Sequence, residues 1–481
     1  MSLQGNELQA SATSGSLKSM KTVRTYMNFS KEVDPAHILT MVDLELSISL
    51  ATPLVTFNEE RQIIAALAEK WTLAPPNKIK FQLRKDLKWS DGERITAEQY
   101  KKSLDRSKKL FPDDLKALFD SITNIEAESE TILVFTTKGD VTQSGILLKL
   151  AEPMYGLISI KDNQLDLGRS SGAFILESSN DDEIQLTENK NWYLYSNEMP
   201  AKVEIRRPPK NTDLMEAFVK DDWANLVSGS SLMREDSMIA LKAKGVKTWQ
   251  RSLDKVFSLY PTKNFLKNGG AEVLQFMGKA LKKDMVTKGL SGYSLANQFF
   301  PRGYELWSSI EPKSSIVQNE HKVKKIKIII PDNSYAIPFK KTLSVAIKES
   351  TGIEAECELV PVPQVNERIK KADFDILATG IAVADPNFEG AMSFFFEREP
   401  AFIPSSTKPY DFSSQLKEAR GLPTTKERAA KMRGIIVHAQ EAGHVLPLFH
   451  FSSLAIAKPG VDISEIPNSD ETVLFSKVRM R

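Results

Sequence analysis

The stretch from Asn77 to Arg106, NKIKFQLRKDLKWSDGERITAEQYKKSLDR, contains the local signals of a strand followed by a tight turn. Ile79, Phe81 and Leu83 alternate with polar residues, which is the period of a strand that has one buried face. The Ser-Asp-Gly sequence at 90–92 supplies turn chemistry, because glycine accepts a positive φ and short polar side chains bond to the local backbone. The first half of the stretch therefore predicts a half-buried strand that ends in a turn.

The second half of the stretch predicts a helix. Thr96 and Gln99 have the spacing of a capping box, in which each side chain accepts a hydrogen bond from the other residue's backbone amide. Tyr100 and Leu104 then lie on one helical face, which we expect to be buried. By itself this is a β-turn-α unit without chemistry.

The wording of the stretch resembles a known signature. F-x-L-R-K-x-x-K-W-S-D-G-E-x-x-T-A-E is similar to the signature of the family 5 extracytoplasmic solute-binding proteins, the oligopeptide-, dipeptide- and nickel-binding receptors of ABC importers. A second match is SSGAFILESSNDDEIQLTENKNWY at 170–193, which resembles the family's G-T-G-P-Y segment and the strand after it. Gly172 occupies the family's glycine position, and we expect it to allow a tight backbone bend.

The resemblance implies an α/β, two-lobed periplasmic-binding-protein-like fold with a hinge and an additional N-terminal subdomain. Residues 1–21 are expected to be a flexible leader or a remnant of expression. Lobe 1 is expected to comprise 22–256, with a small subdomain at about 50–165. Lobe 2 is expected to comprise 257–456, and 457–481 to return to lobe 1.

Further elements follow from periodicity. Strands are predicted near 256–260, 324–330, 353–359 and 374–380, and a helix over 340–350 makes the second and third of these a parallel pair. Cys357 is expected on the buried face of its strand, as a small hydrophobe. The Ser-Gly-Ser sequence at 228–230 predicts a loop. Thr424 and Glu427 predict a second capping box.

Composition restricts the class of protein. The chain has 481 residues, which is too long for one ordinary core, and its 64 basic and 62 acidic residues give a net charge of +2. This balance gives no reason to expect nucleic acid as a partner. The sequence has no apolar run of about 18 residues that would predict a transmembrane helix. The single cysteine excludes an intrachain disulfide.

The titratable residues form no catalytic constellation. The five histidines are scattered, and no metalloprotease, hydrolase or nucleotide-binding motif appears. His444 and His450 are six residues apart across a proline, which is not the spacing of a metal pair on one helix face. We therefore expect surface or cleft-rim histidines, no metal, no cofactor and no enzyme activity.

The resemblance implies capture of a peptide-like or other small solute in an interlobe cleft and delivery to the membrane permease subunits of an ABC transporter. It also implies a periplasmic or extracytoplasmic location, attached to a membrane at most by an N-terminal anchor, and a monomer. Candidate ligand-binding residues are Thr40 and Asp43 after the Asp-Pro-Ala loop, Val383 and Asp385, and His450 near the return strand.

The segment at 380–388, GIAVADPNF, bears on the solute. In peptide-binding relatives this place has the form W-x-x-D-x-x-D-P, and the first Asp pairs with the peptide's α-ammonium because a buried cation needs a partner. Here Asp385-Pro386 matches the second Asp, and Val383 or Ala384 stands at the amine-binding position. Either Asp385 binds the amine or no free α-amine is recognised, and we favour the second hypothesis.

One alternative from another class of protein stays open. Some transcriptional regulators carry this fold as a ligand-sensing domain behind a DNA-binding helix-turn-helix. The twenty leading residues are too short for such a domain, which favours the receptor.

Overall fold

The computed structural model describes twenty-one segments of the chain, and every structural statement below concerns them. They are residues 21–29, 33–34, 41–58, 62–74, 77–110, 117–138, 143–162, 164–209, 212, 214–230, 233–250, 255–300, 323–332, 336–371, 373–382, 392, 395–397, 406–407, 410–422, 424–466 and 473–481.

The chain divides into two compact units. Unit 1 takes its residues from 1–228, 245–249 and 455–481, and unit 2 takes its residues from 229–244 and 250–454. Three of the four boundaries fall inside strands rather than loops, namely those after 228, 249 and 454. The two units are described separately.

The strands that lie in unit 1 or cross its boundaries follow the chain in a regular order. They are β1 (Thr22–Tyr26), β2 (Val55–Phe57), β3 (Ile63–Ala65), β4 (Ala68–Ala74), β5 (Lys78–Leu83), β6 (Ile122–Ser129), β7 (Ile132–Thr137), β8 (Ile158–Lys161), β9 (Gln164–Ser170), β10 (Phe174–Ser179), β11 (Glu183–Glu188), β12 (Lys202–Arg206), β13 (Leu226–Ser230), β15 (Lys247–Gln250), β25 (Ser453–Ala457), β26 (Val461–Asp462) and β27 (Arg479–Met480). Its helices are α1 (Met41–Leu50), α2 (Ala97–Leu110), α3 (Ala117–Asp120), α4 (Gln143–Leu150) and α5 (Leu214–Lys220), with short 3-10 turns at Pro153–Tyr155 and Phe475–Lys477.

Two sheets organise unit 1. One has the order β1-β12-β11-β10, in which β1 and β12 run parallel and the other pairs are antiparallel. The other is the antiparallel sheet β4-β5-β7-β6. Each sheet has its own hydrophobic cluster, because the buried residues from 54 to 157 pack together and those of the first sheet pack with the C-terminal residues.

The predicted strand and helix at 77–106 are confirmed. Ile79, Phe81 and Leu83 are buried in β5, and Gly92 has a φ of 89° in the turn. The Thr96 amide donates to Gln99 Oε1 (2.9 Å), and the Gln99 amide donates to Thr96 Oγ1 (3.3 Å), as a capping box requires.

Unit 2 is built around a six-stranded sheet of order β18-β24-β16-β21-β19-β20. Its remaining strands are β14 (Met233–Arg234), β16 (Lys255–Pro261), β17 (Leu290–Ser291), β18 (Tyr293–Leu295), β19 (Lys325–Asp332), β20 (Glu354–Pro361), β21 (Ile376–Ala382), β22 (Ser406–Thr407), β23 (Tyr410–Asp411) and β24 (Leu446–Phe451). Its helices are α6 (Glu235–Ala243), α7 (Lys263–Phe265), α8 (Ala271–Ala280), α9 (Lys283–Val286), α10 (Ala336–Thr351), α11 (Val362–Lys371), α12 (Phe412–Arg420) and α13 (Thr425–Glu441).

Several predictions for unit 2 are confirmed. Strands β19 and β20 are parallel, with α10 between them in sequence. The capping box of Thr424 and Glu427 is present at the start of α13. Cys357 is half-buried against the sheet's hydrophobic cluster, and burial raises the pKa of its thiol to about 12, so the thiol is inert at neutral pH.

Two predictions of backbone conformation are wrong. Residues 228–230 continue the strand β13 instead of forming a loop, because backbone pairing overrides the turn preference of glycine and serine. Gly172 does not make a bend with positive φ. Instead it lies where two backbones meet, and a Cβ there would be 2.5 Å from the Ser49 carbonyl oxygen and 2.6 Å from the Leu50 carbonyl carbon.

The region around Gly269 departs from a regular helix. Residues Leu266–Gly270 form one π-helical turn between α7 and α8, and Gly269 has a φ of 87° within it. A Cβ on Gly270 would be 2.5 Å from the Phe265 ring. The two glycines therefore allow this extra backbone residue to fit between the two helices.

No described helix combines the length and the apolar character that crossing a bilayer requires.

We predict that Gly172→Ala destabilises the protein by about 2 kcal/mol or more, because the new methyl group overlaps fixed backbone atoms of residues 49–51. Chemical denaturation gives this free energy of unfolding. Gly168→Ala is the matched control in the preceding strand, since its Cβ would meet only Asp166 Oδ1, at 3.5 Å. Equal stability of the two variants would contradict the close-approach interpretation.

Candidate functional site

The structure describes two of the five candidate ligand-binding residues. Thr40, Val383 and Asp385 lie outside the described residues. Asp43 lies in the first turn of α1 in unit 1, and His450 lies in β24 of unit 2. Each is therefore considered within its own unit.

Helix α1 places acidic side chains in a buried environment. Asp43 and Glu45 are 6 % and 3 % exposed, while Leu46 and Leu50 of the same helix belong to the hydrophobic cluster of the first sheet. Burial raises the pKa of the Glu45 carboxyl well above its usual range, since a charged carboxylate is poorly solvated there. Glu45 was missed at the sequence level, although an acid within the apolar run MVDLELSISL is a signal that could have indicated it.

The motif residues that carry the family resemblance hold a junction next to α1. The Gly172 amide donates to the Leu50 carbonyl oxygen (3.1 Å), and Ser170 Oγ donates to that same oxygen (2.7 Å). The Thr52 amide donates to Ser171 Oγ (3.0 Å), and Thr52 Oγ1 donates to the Ser171 carbonyl oxygen (2.8 Å). This junction fixes the C-terminal end of α1 to the chain that enters β10.

The turn at 90–92 docks on the same junction. The Ser90 amide donates to the Ser170 carbonyl oxygen (3.0 Å), and the Ser170 amide donates to Ser90 Oγ (3.0 Å). Asn189 Nδ2 donates to the Gly172 carbonyl oxygen (2.8 Å), and Asn191 Nδ2 donates to the Ser90 carbonyl oxygen (3.0 Å). The two sequence matches are therefore one hydrogen-bonded structure.

Trp89 is held by a salt-bridged arginine on this side of unit 1. Its Nε1 donates to Gln99 Oε1 (3.1 Å), and the Arg169 guanidinium lies over the indole, 4.8 Å from the ring centroid. Arg169 Nε is 2.9 Å from Asp91 Oδ2, and the guanidinium also pairs with Glu93. These contacts position the turn and leave no acid-base pair suited to catalysis among the motif residues.

In unit 2, His450 belongs to a row of polar residues on one face of the six-stranded sheet. His450 is directly opposite Val256 of β16 on one side and Ser294 of β18 on the other. Ser258, two residues after Val256, is opposite Thr379 of β21. Because paired residues share a face and alternate residues return to it, these side chains lie on the same side of the sheet.

We call Ser258, Ser294, Thr379 and His450 the polar strip. It offers hydroxyl and imidazole groups and no carboxylate, so its chemistry is neutral hydrogen bonding. The opposite face of the same strands is apolar, with the rings of Phe257 and Phe449 stacked 5.0 Å apart. The sequence analysis had singled out only His450 of the four, since strand pairing brings the others beside it.

The expectation of surface or cleft-rim histidines is wrong for two residues. His450 is 1 % exposed within the central strand β24, and His444 is buried at the end of α13. Burial lowers the pKa of His444 to about 4, so this imidazole is neutral at physiological pH. Among the described residues, no three histidine, cysteine or acidic side chains are grouped as metal ligands.

Lys283 is the most perturbed cation in unit 2. Its Nζ donates to the Ala296 carbonyl oxygen (2.6 Å), one residue beyond β18, and burial lowers the pKa of the ammonium to about 8. A single neutral acceptor does not replace the hydration of the charge, which is why the neutral amine gains.

Comparison with known proteins agrees with this architecture. The murein tripeptide-binding protein MppA of Escherichia coli is 14% identical with a TM-score of 0.78, and the match covers 95% of this chain and 98% of that chain. A periplasmic oligopeptide-binding protein of Borrelia burgdorferi is 14% identical with a TM-score of 0.76, covering 96% and 100%. NikA of Staphylococcus aureus, solved with Ni(L-His)2, is 13% identical with a TM-score of 0.76, again covering 96% and 100%.

The class of protein follows from these matches and the sheet topology. The fold is the α/β, two-lobed fold of the periplasmic binding proteins, with an additional N-terminal subdomain. Residues 62–401 match the profile of the bacterial extracellular solute-binding proteins, family 5. The chain belongs to that family, whose members are binding proteins of ABC importers rather than enzymes. A search of the curated proteins found no match.

We predict that Lys283 titrates near pH 8, because burial disfavours its charged form. Carbon-13 NMR of reductively methylated protein should show one lysine resonance that shifts in this range. The resonance should be absent in Lys283→Met and present in Lys282→Met, which changes the exposed neighbour. A set of lysines that all titrate above pH 10 would contradict the prediction.

Proposed function

We propose that this protein is an extracytoplasmic receptor of an ABC importer that binds one peptide-like or other small solute and delivers it to membrane permease subunits. The observation that carries the proposal is the family match, which spans more than two thirds of the chain. The matched solved structures support the same fold over nearly the whole length. The solute-loaded protein is a monomer in this proposal.

The proposed binding mode is closure of two lobes on the solute. A solute that prefers the closed form shifts the equilibrium toward it, and the closed form is what a transporter distinguishes. Affinity is the surplus that is left after desolvation and ordering costs. The lobe boundaries expected from the sequence, 22–256, 257–456 and 457–481, are part of this proposal.

We further propose that the solute lacks a recognised free α-amine. The residues at 380–388 support this, since Val383 or Ala384 stands where peptide-binding relatives have the amine-binding aspartate. The polar strip of unit 2 supports it as well, because its groups are neutral and suit a neutral hydrogen-bonding solute. The named relatives bind different ligands, so the fold does not select the solute.

The five candidate residues take different roles in this proposal. Val383 and Asp385 are proposed as direct contacts, and Thr40 as a contact from the loop ahead of α1. Asp43 and His450 are buried within their units, so we propose that they position neighbouring contacts. No finding favours the alternative of a regulator's sensing domain, and it is not proposed further.

Solute binding should compact the protein. We expect small-angle scattering to show a smaller radius of gyration after addition of a peptide and small-metabolite pool, because closure brings the two lobes together. Equilibrium dialysis of the same samples establishes that a solute is bound. An unchanged radius with a bound solute would contradict closure and would leave solute binding itself intact.

The amine hypothesis has its own test. We expect a peptide and its N-acetylated form to bind within about threefold of each other, and Asp385→Asn to change both affinities equally. Isothermal titration calorimetry measures both, and Asp284→Asn, an exposed change in unit 2, serves as the control. A loss of about tenfold or more for the free-amine peptide alone would assign the amine to Asp385.

A further inference from the structure

Glu45 is a buried acid that the proposed function does not use. Its side chain is 3 % exposed, and its Oε1 is shielded from solvent with no hydrogen-bond donor in reach among the described residues. A carboxylate in such a place loses its hydration and gains nothing in return, whereas a protonated carboxyl pays much less for the same burial.

The surroundings of Glu45 contain no compensating cation. Helix α1 packs against β10 and against the 3-10 turn Pro153–Tyr155. The charged residues of these elements and of α1 are all acidic, namely Asp43 on the helix, Glu177 on β10 and Glu152 at the start of the 3-10 turn. Desolvation alone raises the pKa of Glu45, without any contribution from a neighbouring charge.

The two ends of α1 are held differently. At the C-terminal end, the Leu50 carbonyl oxygen accepts from Gly172 and Ser170, and Ser49 Oγ donates to the Glu45 carbonyl oxygen (2.8 Å). The N-terminal half, from Met41 to Glu45, contributes burial of its side chains. A charge that appears on Glu45 therefore acts on the half of the helix that the junction does not pin.

We propose that Glu45 is a proton-binding site that controls the N-terminal half of α1. The helix packs in unit 1 with the Glu45 carboxyl neutral. When the proton leaves to solvent, the carboxylate must reach water, and residues 41–45 unpack while the hydrogen-bonded C-terminal end stays in place. Unit 1 thus takes up one proton when α1 docks.

The sign of the pH dependence follows from linkage. The folded state holds the proton of Glu45 at pH values where the unfolded chain has released it, so stability falls as pH rises above the ordinary glutamate range. The fall continues until the pH passes the raised folded-state pKa. Within this window the equilibrium for docking α1 weakens by about tenfold per pH unit.

The test is hydrogen exchange of the α1 amides in the intact protein from pH 5 to pH 9, corrected for the intrinsic pH dependence of exchange. We expect protection of residues 42–46 to fall with pH in the wild type and to stay constant in Glu45→Gln, which keeps the shape and removes the titration. Glu177→Gln removes an exposed carboxylate from β10, and its protection should follow the wild type.

Equal pH dependence in the wild type and in Glu45→Gln would overturn the proposal. A second measurement keeps the test decisive if the variant fails to fold. Infrared spectroscopy of the wild type at neutral pH should show the carbonyl band of a protonated carboxyl, and the band should disappear together with the protection of α1 as the pH rises. Its absence at neutral pH would also overturn the proposal. Neither readout uses a solute, so a failure here is distinct from a failure of the receptor function.

Discussion

The rest of unit 1 depends on the close approach of two backbones at Gly172. The amide of this residue donates to the Leu50 carbonyl oxygen, and a side chain of any size would overlap the end of α1. Ser170 and Ser171 satisfy the neighbouring polar groups, so the crossing is buried without unpaired backbone. The junction joins the residues ahead of the first sheet to the turn that ends β5. The two stretches that carry the family resemblance are therefore similar to the family for a structural reason.

Local structure could be predicted from the sequence where its cause is local. The alternation of Ile79, Phe81 and Leu83, the positive φ of Gly92 and the capping box at Thr96 depend on residues a few positions apart, and all are present. The role of Gly172 could not be predicted, because its constraint comes from residues 49–51, more than a hundred positions away. Residues 228–230 were wrongly predicted as a loop for the same reason, since strand pairing is a long-range interaction.

The candidate site was predictable only in part. Family resemblance pointed to His450, but its neighbours Ser258, Ser294 and Thr379 come from three other strands and share no sequence pattern with it. Glu45 was missed because acids in helices are usually solvated, and nothing local distinguishes it from Asp43. Three of the five candidate residues lie outside the described segments, so their role rests on the resemblance alone.

These observations together describe a receptor whose scaffold is conserved in architecture and whose solute is set by a few side chains in each unit. Native mass spectrometry of the intact chain, equilibrated with a mixed pool of peptides and small metabolites, tests that claim most directly. The account predicts a single adduct of one small molecule per chain, with the molecule released chemically unchanged after denaturation. The absence of an adduct from every pool, or recovery of the molecule in a chemically altered form, would contradict it.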